Sequence, residues 1–268
     1  MDLDDAYANA KYIPNADEFI ERWQEDARNW REMENAAGRL RVNIPYGENP
    51  REAFDLFLPA GRPEGLIVFV HGGYWLRFDK FFWSHFAAGG TERGWAVAMP
   101  SYPLAPEVHI SDITKSVRAA IELAAEKVLG PIVLAGHSAG GHLVARMLGP
   151  DGLSDAVASR IQTVVPISPL SDLRPLMQTE MNEKLCLDEA EAISESPMLH
   201  PKALDVPVKV WVGADERPVF VEQAKWLGEA WPDTTVHIEK NLHHFDIIDG
   251  LRDAQSPLMN ALLGEPRD

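Results

Sequence analysis

The chain has 268 residues, 46% of them hydrophobic, which is ample for one large α/β domain and tight for two. Its 25 basic and 41 acidic residues leave a net charge of −16, which argues against nucleic acid or an anionic membrane surface as a partner. Cys186 stands alone, so an internal disulfide and a zinc site built on several cysteines are both excluded.

The opening MDLDDAYANAKYIPN has no basic stretch leading into an apolar one, and nowhere do about 18 apolar residues run together. A cytoplasmic protein is expected. From Ala16 to Met33, Phe19, Trp23, Trp30 and Met33 recur at helical spacing among charges, predicting an amphipathic helix that packs on the core or covers a pocket. Two alternating runs, Arg41 to Gly47 and Ala53 to Pro59, read as a hairpin. The apolar run Leu66 to Val70 suits a strand buried on both faces, and Trp95 to Met99 suits another. Ile113, Val117, Ala120, Ile121 and Ala124 give Ile110 to Leu129 a helical period that Gly130-Pro131 ends.

Further strands are predicted over Ile132 to Ala135, Thr163 to Ile167, Val208 to Val212 and Thr234 to Ile238, with helices from about Ser138, from Pro218 to Glu229 and after Phe245. This alternation implies an α/β fold with a mostly parallel sheet and helices on both faces. One domain is expected over 1–268. Within it, 1–38 form an N-terminal helical cover and 172–202 an irregular, acidic insertion over the sheet edge.

One short stretch concentrates the chemistry. Gly136 and Gly140 flank Ser138 at the G-x-S-x-G spacing, with an apolar strand before and the amphipathic HLVARML after, which is the context of a nucleophile elbow. The same residues would also permit an ordinary strand-to-helix turn with Ser138 as an N-cap. A serine hydroxyl needs a base, and an imidazole base needs a carboxylate to fix its tautomer; on this architecture they follow in the order Ser, acid, His. Asp215 and Glu216 lie just past one predicted strand, and His243 and His244 just past the next, on the edge where open α/β sheets carry their sites. His237 sits within a strand and reads as structural. His137 and His142 beside the serine read as packing or surface residues, and Asp172 as a helix cap before an alternative acid. His71-Gly72-Gly73 has the form of a loop that offers backbone N–H groups to an oxyanion, with Gly73, Tyr74 and Ala139 as the expected donors.

These motifs together resemble a known family. HGGYW at His71 to Trp75, GHSAGGHL at Gly136 to Leu143, SPLSDLRPL at Ser168 to Leu176, HHF at His243 to Phe245 and the opening YANAKYIPNADEFIERW are similar to the kynurenine formamidases, or arylformamidases, of the α/β-hydrolase fold. That resemblance implies hydrolysis of N-formylkynurenine to formate and kynurenine, without metal or other cofactor. It places the nucleophile on Ser138 and the base on His244. It places the acid on Glu216, because the family's carboxylate precedes a residue, a proline, a residue and a phenylalanine, here Arg217 to Phe220.

Tyr74, Trp75, Phe78, Phe81, Phe82 and Trp83 crowd the segment after the expected oxyanion loop, and Tyr74 or Trp75 is expected to line a pocket for an aryl group. The expected partner is a small-molecule acyl substrate, with a homodimer the one assembly left open. A broad carboxylesterase or thioesterase would use the same machinery. A hydrolase-shaped binding protein without catalysis is a more distant alternative.

Overall fold

Leu66–Val70 and Ala96–Pro100 are buried along their whole length. Strands of that kind belong inside a sheet covered on both faces. In the computed structural model, which describes residues 2–266, they lie within an eight-stranded sheet. Its strands are β1 (Leu40–Pro45), β2 (Ala53–Phe57), β3 (Leu66–Val70), β4 (Ala96–Pro100), β5 (Ile132–His137), β6 (Ile161–Ile167), β7 (Val208–Gly213) and β8 (Thr234–Glu239), in the order β1-β2-β4-β3-β5-β6-β7-β8. β2 pairs antiparallel with both β1 and β4, and every other pairing is parallel.

The described helices are α1 (Leu3–Ala6), α2 (Ala16–Ala36), α3 (Ala88–Glu92), α4 (Ile110–Lys127), α5 (Ala139–Arg146), α6 (Asp155–Ala158), α7 (Asn182–Leu185), α8 (Glu189–Ser194), α9 (Pro218–Ala230) and α10 (Pro257–Leu263). The two-residue period of β3 sorts them into layers. Leu66, Val68 and Val70 join one apolar cluster with α4, α5 and α9, through Ile113, Leu143 and Phe220. Ile67 and Phe69 join a second cluster with α2 and α10, through Trp23 and Leu258. No described helix is long and apolar enough to cross a membrane.

Two expectations need correction. The helix after Phe245 begins only at Pro257, because Ser256 caps it, its Oγ accepting the Met259 N–H at 2.9 Å with proline at the first helical position. The stretch before it holds a 3-10 turn at Asp249–Arg252. Residues 172–202 are not wholly irregular, since they contain α7 and α8. They connect β6 to β7, both inner strands, and bury Leu176, Leu185 and Ala192 in the cluster that holds α4.

Candidate active site

Ser138 occupies the junction of β5 and α5 with φ 56° and ψ −117°, a sparsely populated conformation that costs on the order of 1–3 kcal/mol. The surroundings hold it there. Its N–H donates to the Ile167 carbonyl of the neighbouring β6 at 2.8 Å. A Cβ on Gly136 would stand 2.2 Å from the Gly140 carbonyl oxygen, and one on Gly140 would stand 2.0 Å from that of Val70. The flanking glycines are therefore demanded by close approach of three backbones, from the elbow, the helix and the end of β3.

Of the two carboxylates after β7, the structure turns Glu216 inward and leaves Asp215 exposed. The turn after Gly213 runs so close to Leu242 that a Cβ on the glycine would lie 2.2 Å from the Leu242 carbonyl oxygen. Glu216 Oε1 accepts the Gly213 N–H at 2.8 Å and the Ser168 hydroxyl at 2.5 Å, and Oε2 lies 2.5 Å from His244 Nδ1. Both side chains of this pair are buried. His243, the other base candidate, faces away and holds Asp246 at 3.0 Å. Asp172 binds Arg174 through its backbone N–H and guanidinium; it is not the cap of the 3-10 turn that follows, whose N-cap position is Leu173.

Ser138 and His244 line a single cavity of about 660 Å³ together with Gly73, Tyr74, Trp23 and Trp83. Among the described residues no hydrogen bond joins the serine hydroxyl to His244, a contact that commonly tightens only around bound substrate. The His71-Gly72-Gly73 loop closes on the elbow, since a Cβ on Gly72 would lie 3.0 Å from Ser138 Cβ. Among the described loop contacts, the N–H groups of Gly73 and Tyr74 donate to no carbonyl, and Ala139, as the first residue of α5, has no intrahelical acceptor.

Comparison with known proteins fixes the family. The pattern of the alpha/beta hydrolase fold matches residues 67–239. The chain belongs to this family. The hydrolase is 28% identical over 265 residues to the kynurenine formamidase of Salmo salar, covering 93% of this chain and 90% of that one. It is 29% identical over 239 residues to that of Drosophila melanogaster, covering 82% and 79%. A solved structure from Silicibacter sp. TM1040, provisionally described as a thioesterase, superposes with a TM-score of 0.95 at 55% identity, covering 98% of this chain and 99% of that one.

The hydrolase departs from the expected pocket at Trp75. Tyr74 lines the cavity, its hydroxyl donating to the Tyr7 carbonyl at 2.7 Å, but Trp75 is fully buried away from it with its ring edge-on to His142 at 5.1 Å. Positive φ at both residues, 54° and 59°, takes the chain out of strand alternation there. Aromatic walls come instead from Trp23, Phe78, Trp83 and Phe245. Trp23 also packs on Trp83 with centroids 4.8 Å apart, so the stripe on α2 serves both core and cavity.

Several contributors were not foreseen. His137 lines the cavity, and its Nε2 bonds the His244 backbone carbonyl at 2.9 Å, so it is more than a packing residue. Burial holds its imidazole well below the usual histidine range, which keeps it neutral. The N-terminal segment closes the cavity from above through Asp4, Tyr7 and Asn9. It is tied down by the Glu180 N–H on Asp4 at 2.7 Å, Arg217 on Asp5 at 2.9 Å and Gln223 on the Tyr7 hydroxyl at 2.9 Å. Among the described residues no group of three or more His, Cys, Asp or Glu side chains is arranged to hold a metal ion.

Proposed function

We propose that this hydrolase is an aryl formamidase acting through Ser138, His244 and Glu216, with N-formylkynurenine as its substrate. The observation that carries the reading is the buried Glu216–His244 pair opening, with the strained Ser138, into a cavity walled by aromatic rings. Extended similarity to two kynurenine formamidases supports the choice of substrate.

In this mechanism His244 Nε2 takes the proton of Ser138 as its oxygen attacks the formyl carbon, while Glu216 holds the proton on Nδ1 and stabilises the imidazolium. The N–H groups of Gly73, Tyr74 and Ala139 stabilise the oxyanion; losing one such donor typically costs ~10²-fold or more in rate. His244 then passes its proton to the aniline nitrogen, which leaves as kynurenine. Water, deprotonated by the same imidazole, releases formate from Ser138. His137 fixes the His244 backbone from below throughout.

A thioesterase is the second reading, favoured by the relative from Silicibacter sp. TM1040. The test is steady-state kcat/KM for N-formylkynurenine beside a short-chain p-nitrophenyl ester and the matching acyl thioester, with Ser138→Ala in parallel. A preference of ~10³-fold for the formamide, equivalent to ~4 kcal/mol of transition-state stabilisation, is expected. Turnover retained by Ser138→Ala would refute the mechanism, and a preference for the thioester would replace the substrate.

A further inference from the structure

The roof of the cavity carries polar groups that neither the proposed chemistry nor the fold uses. Asn9 is nine-tenths buried and lines the cavity. Among the described residues its side-chain amide enters no hydrogen bond, and Oδ1 is sealed from solvent as well. Buried amides are almost always paired, and with Oδ1 closed off it is the Nδ2 donor, likewise without a partner among the described residues, that is left to a ligand in the cavity. It sits on the N-terminal segment, held there by the contacts of Asp4, Asp5 and Tyr7 to the rest of the molecule.

Two cations share the cavity lining with it. Arg77 and Lys184 are exposed there, and among the described residues neither meets a carboxylate. Lys11 also lines the cavity but is neutralised by Asp5 at 2.6 Å. Asp4 and Glu180 line it too, so the opening offers charges of both signs.

We infer that Asn9, Arg77 and Lys184 form a specificity subsite that binds the carboxylate of the substrate's leaving group, with Asp4 and Glu180 facing the accompanying ammonium. This deepens, and rests on, the formamidase reading: Ser138 handles the small formyl group, the aromatic walls take the aryl ring, and the cover reads the charged end. A cationic rim with a neutral amide donor suits a carboxylate because charge-assisted hydrogen bonds are strong and orienting. The N-terminal cover is thereby part of the binding site and not only its lid.

The experiment uses two matched substrate pairs. N-formylkynurenine is compared with 2′-formamidoacetophenone, and O-acetyl-L-tyrosine with p-cresyl acetate, each pair sharing its scissile bond while one member lacks the amino-acid head. The quantity read is the ratio of kcat/KM within a pair, for wild type, Asn9→Ala and Arg77→Ala/Lys184→Ala. The double variant alters exposed side chains only, and thermal melting checks that each protein is folded. The ratio is expected to favour the headed substrate in wild type and to fall at least ~10-fold in each variant, chiefly through KM. Equal loss on both members of each pair, or no preference in wild type, overturns the subsite. If neither formamide is turned over but the ester ratio still falls in the variants, the subsite stands and the formamidase reading fails.

Discussion

Replacing Glu216 with glutamine tests the proposed triad at its most constrained point. Glu216 uses both oxygens: one accepts from Gly213 and Ser168, and the other accepts from His244. Glutamine has only one oxygen. Left with Gly213 and Ser168, it would turn its NH2 toward His244 Nδ1, which could then accept only if unprotonated. The imidazole proton would move to Nε2, the nitrogen that must be free to receive a proton from Ser138. Turned the other way, the NH2 would face the Gly213 N–H, two donors in a buried site. The corresponding substitution in a serine protease lowers kcat by about 10⁴, or ~5.5 kcal/mol of barrier. Glu216→Gln is therefore expected to lose ~10³- to 10⁴-fold in kcat with KM little changed. The assay is steady-state turnover of the best substrate, with urea denaturation confirming that the variant is folded. Asp215→Asn, altering an exposed side chain, should stay within about twofold. The reasoning fails if Glu216→Gln keeps more than about a tenth of wild-type kcat or if Asp215→Asn loses as much.

Three further outcomes follow from particular contacts. Gly136→Ala forces a Cβ to within 2.2 Å of the Gly140 carbonyl oxygen, so it should cost more than ~3 kcal/mol of stability by urea denaturation; a smaller cost would show that the elbow can relax. His137→Phe removes the donor to the His244 carbonyl and should lower kcat about tenfold while leaving KM near wild type, the equivalent of ~1.4 kcal/mol, whereas a loss confined to KM would contradict a positioning role. His85 is buried, among the described residues neither of its ring nitrogens is hydrogen-bonded, and burial pushes its pKa down to about 3. Because the folded value is the lower one, the unfolded chain takes the proton first as pH falls below about 6.5, so stability is lost on acidification. His85→Phe should remove about 2 kcal/mol of the loss between pH 7 and pH 5, measured by urea denaturation at both values; an unchanged loss would refute the burial argument.

The sheet was legible because its strands obey simple periods. β3 is apolar throughout because both its faces are covered, and Gly136 and Gly140 mark the elbow because no larger residue fits. The choice between Asp215 and Glu216 is not written in those two residues. It depends on the tight turn at Gly213 against Leu242, a contact between segments that local patterns do not encode. Trp75 was misplaced for a related reason, since aromatic density says that rings are needed nearby but not which way a turn with two positive φ values will aim them. Asn9 and Lys184 were invisible as pocket residues because the cavity joins segments far apart in the chain.

That remoteness has a consequence for how the molecule comes into being. Asp5 and Arg217, whose contact helps to close the cavity, are separated by 212 positions. A ribosome adding about 5–20 residues per second makes Arg217 roughly 10–40 s after Asp5. Throughout that interval the N-terminal segment lacks the Arg217 and Gln223 contacts that help to tie it down, while the core strands β3 to β5 can already pair. The cavity is thus among the last features to exist during synthesis, so a nascent or truncated chain carries the elbow of a hydrolase without the chamber in which it works.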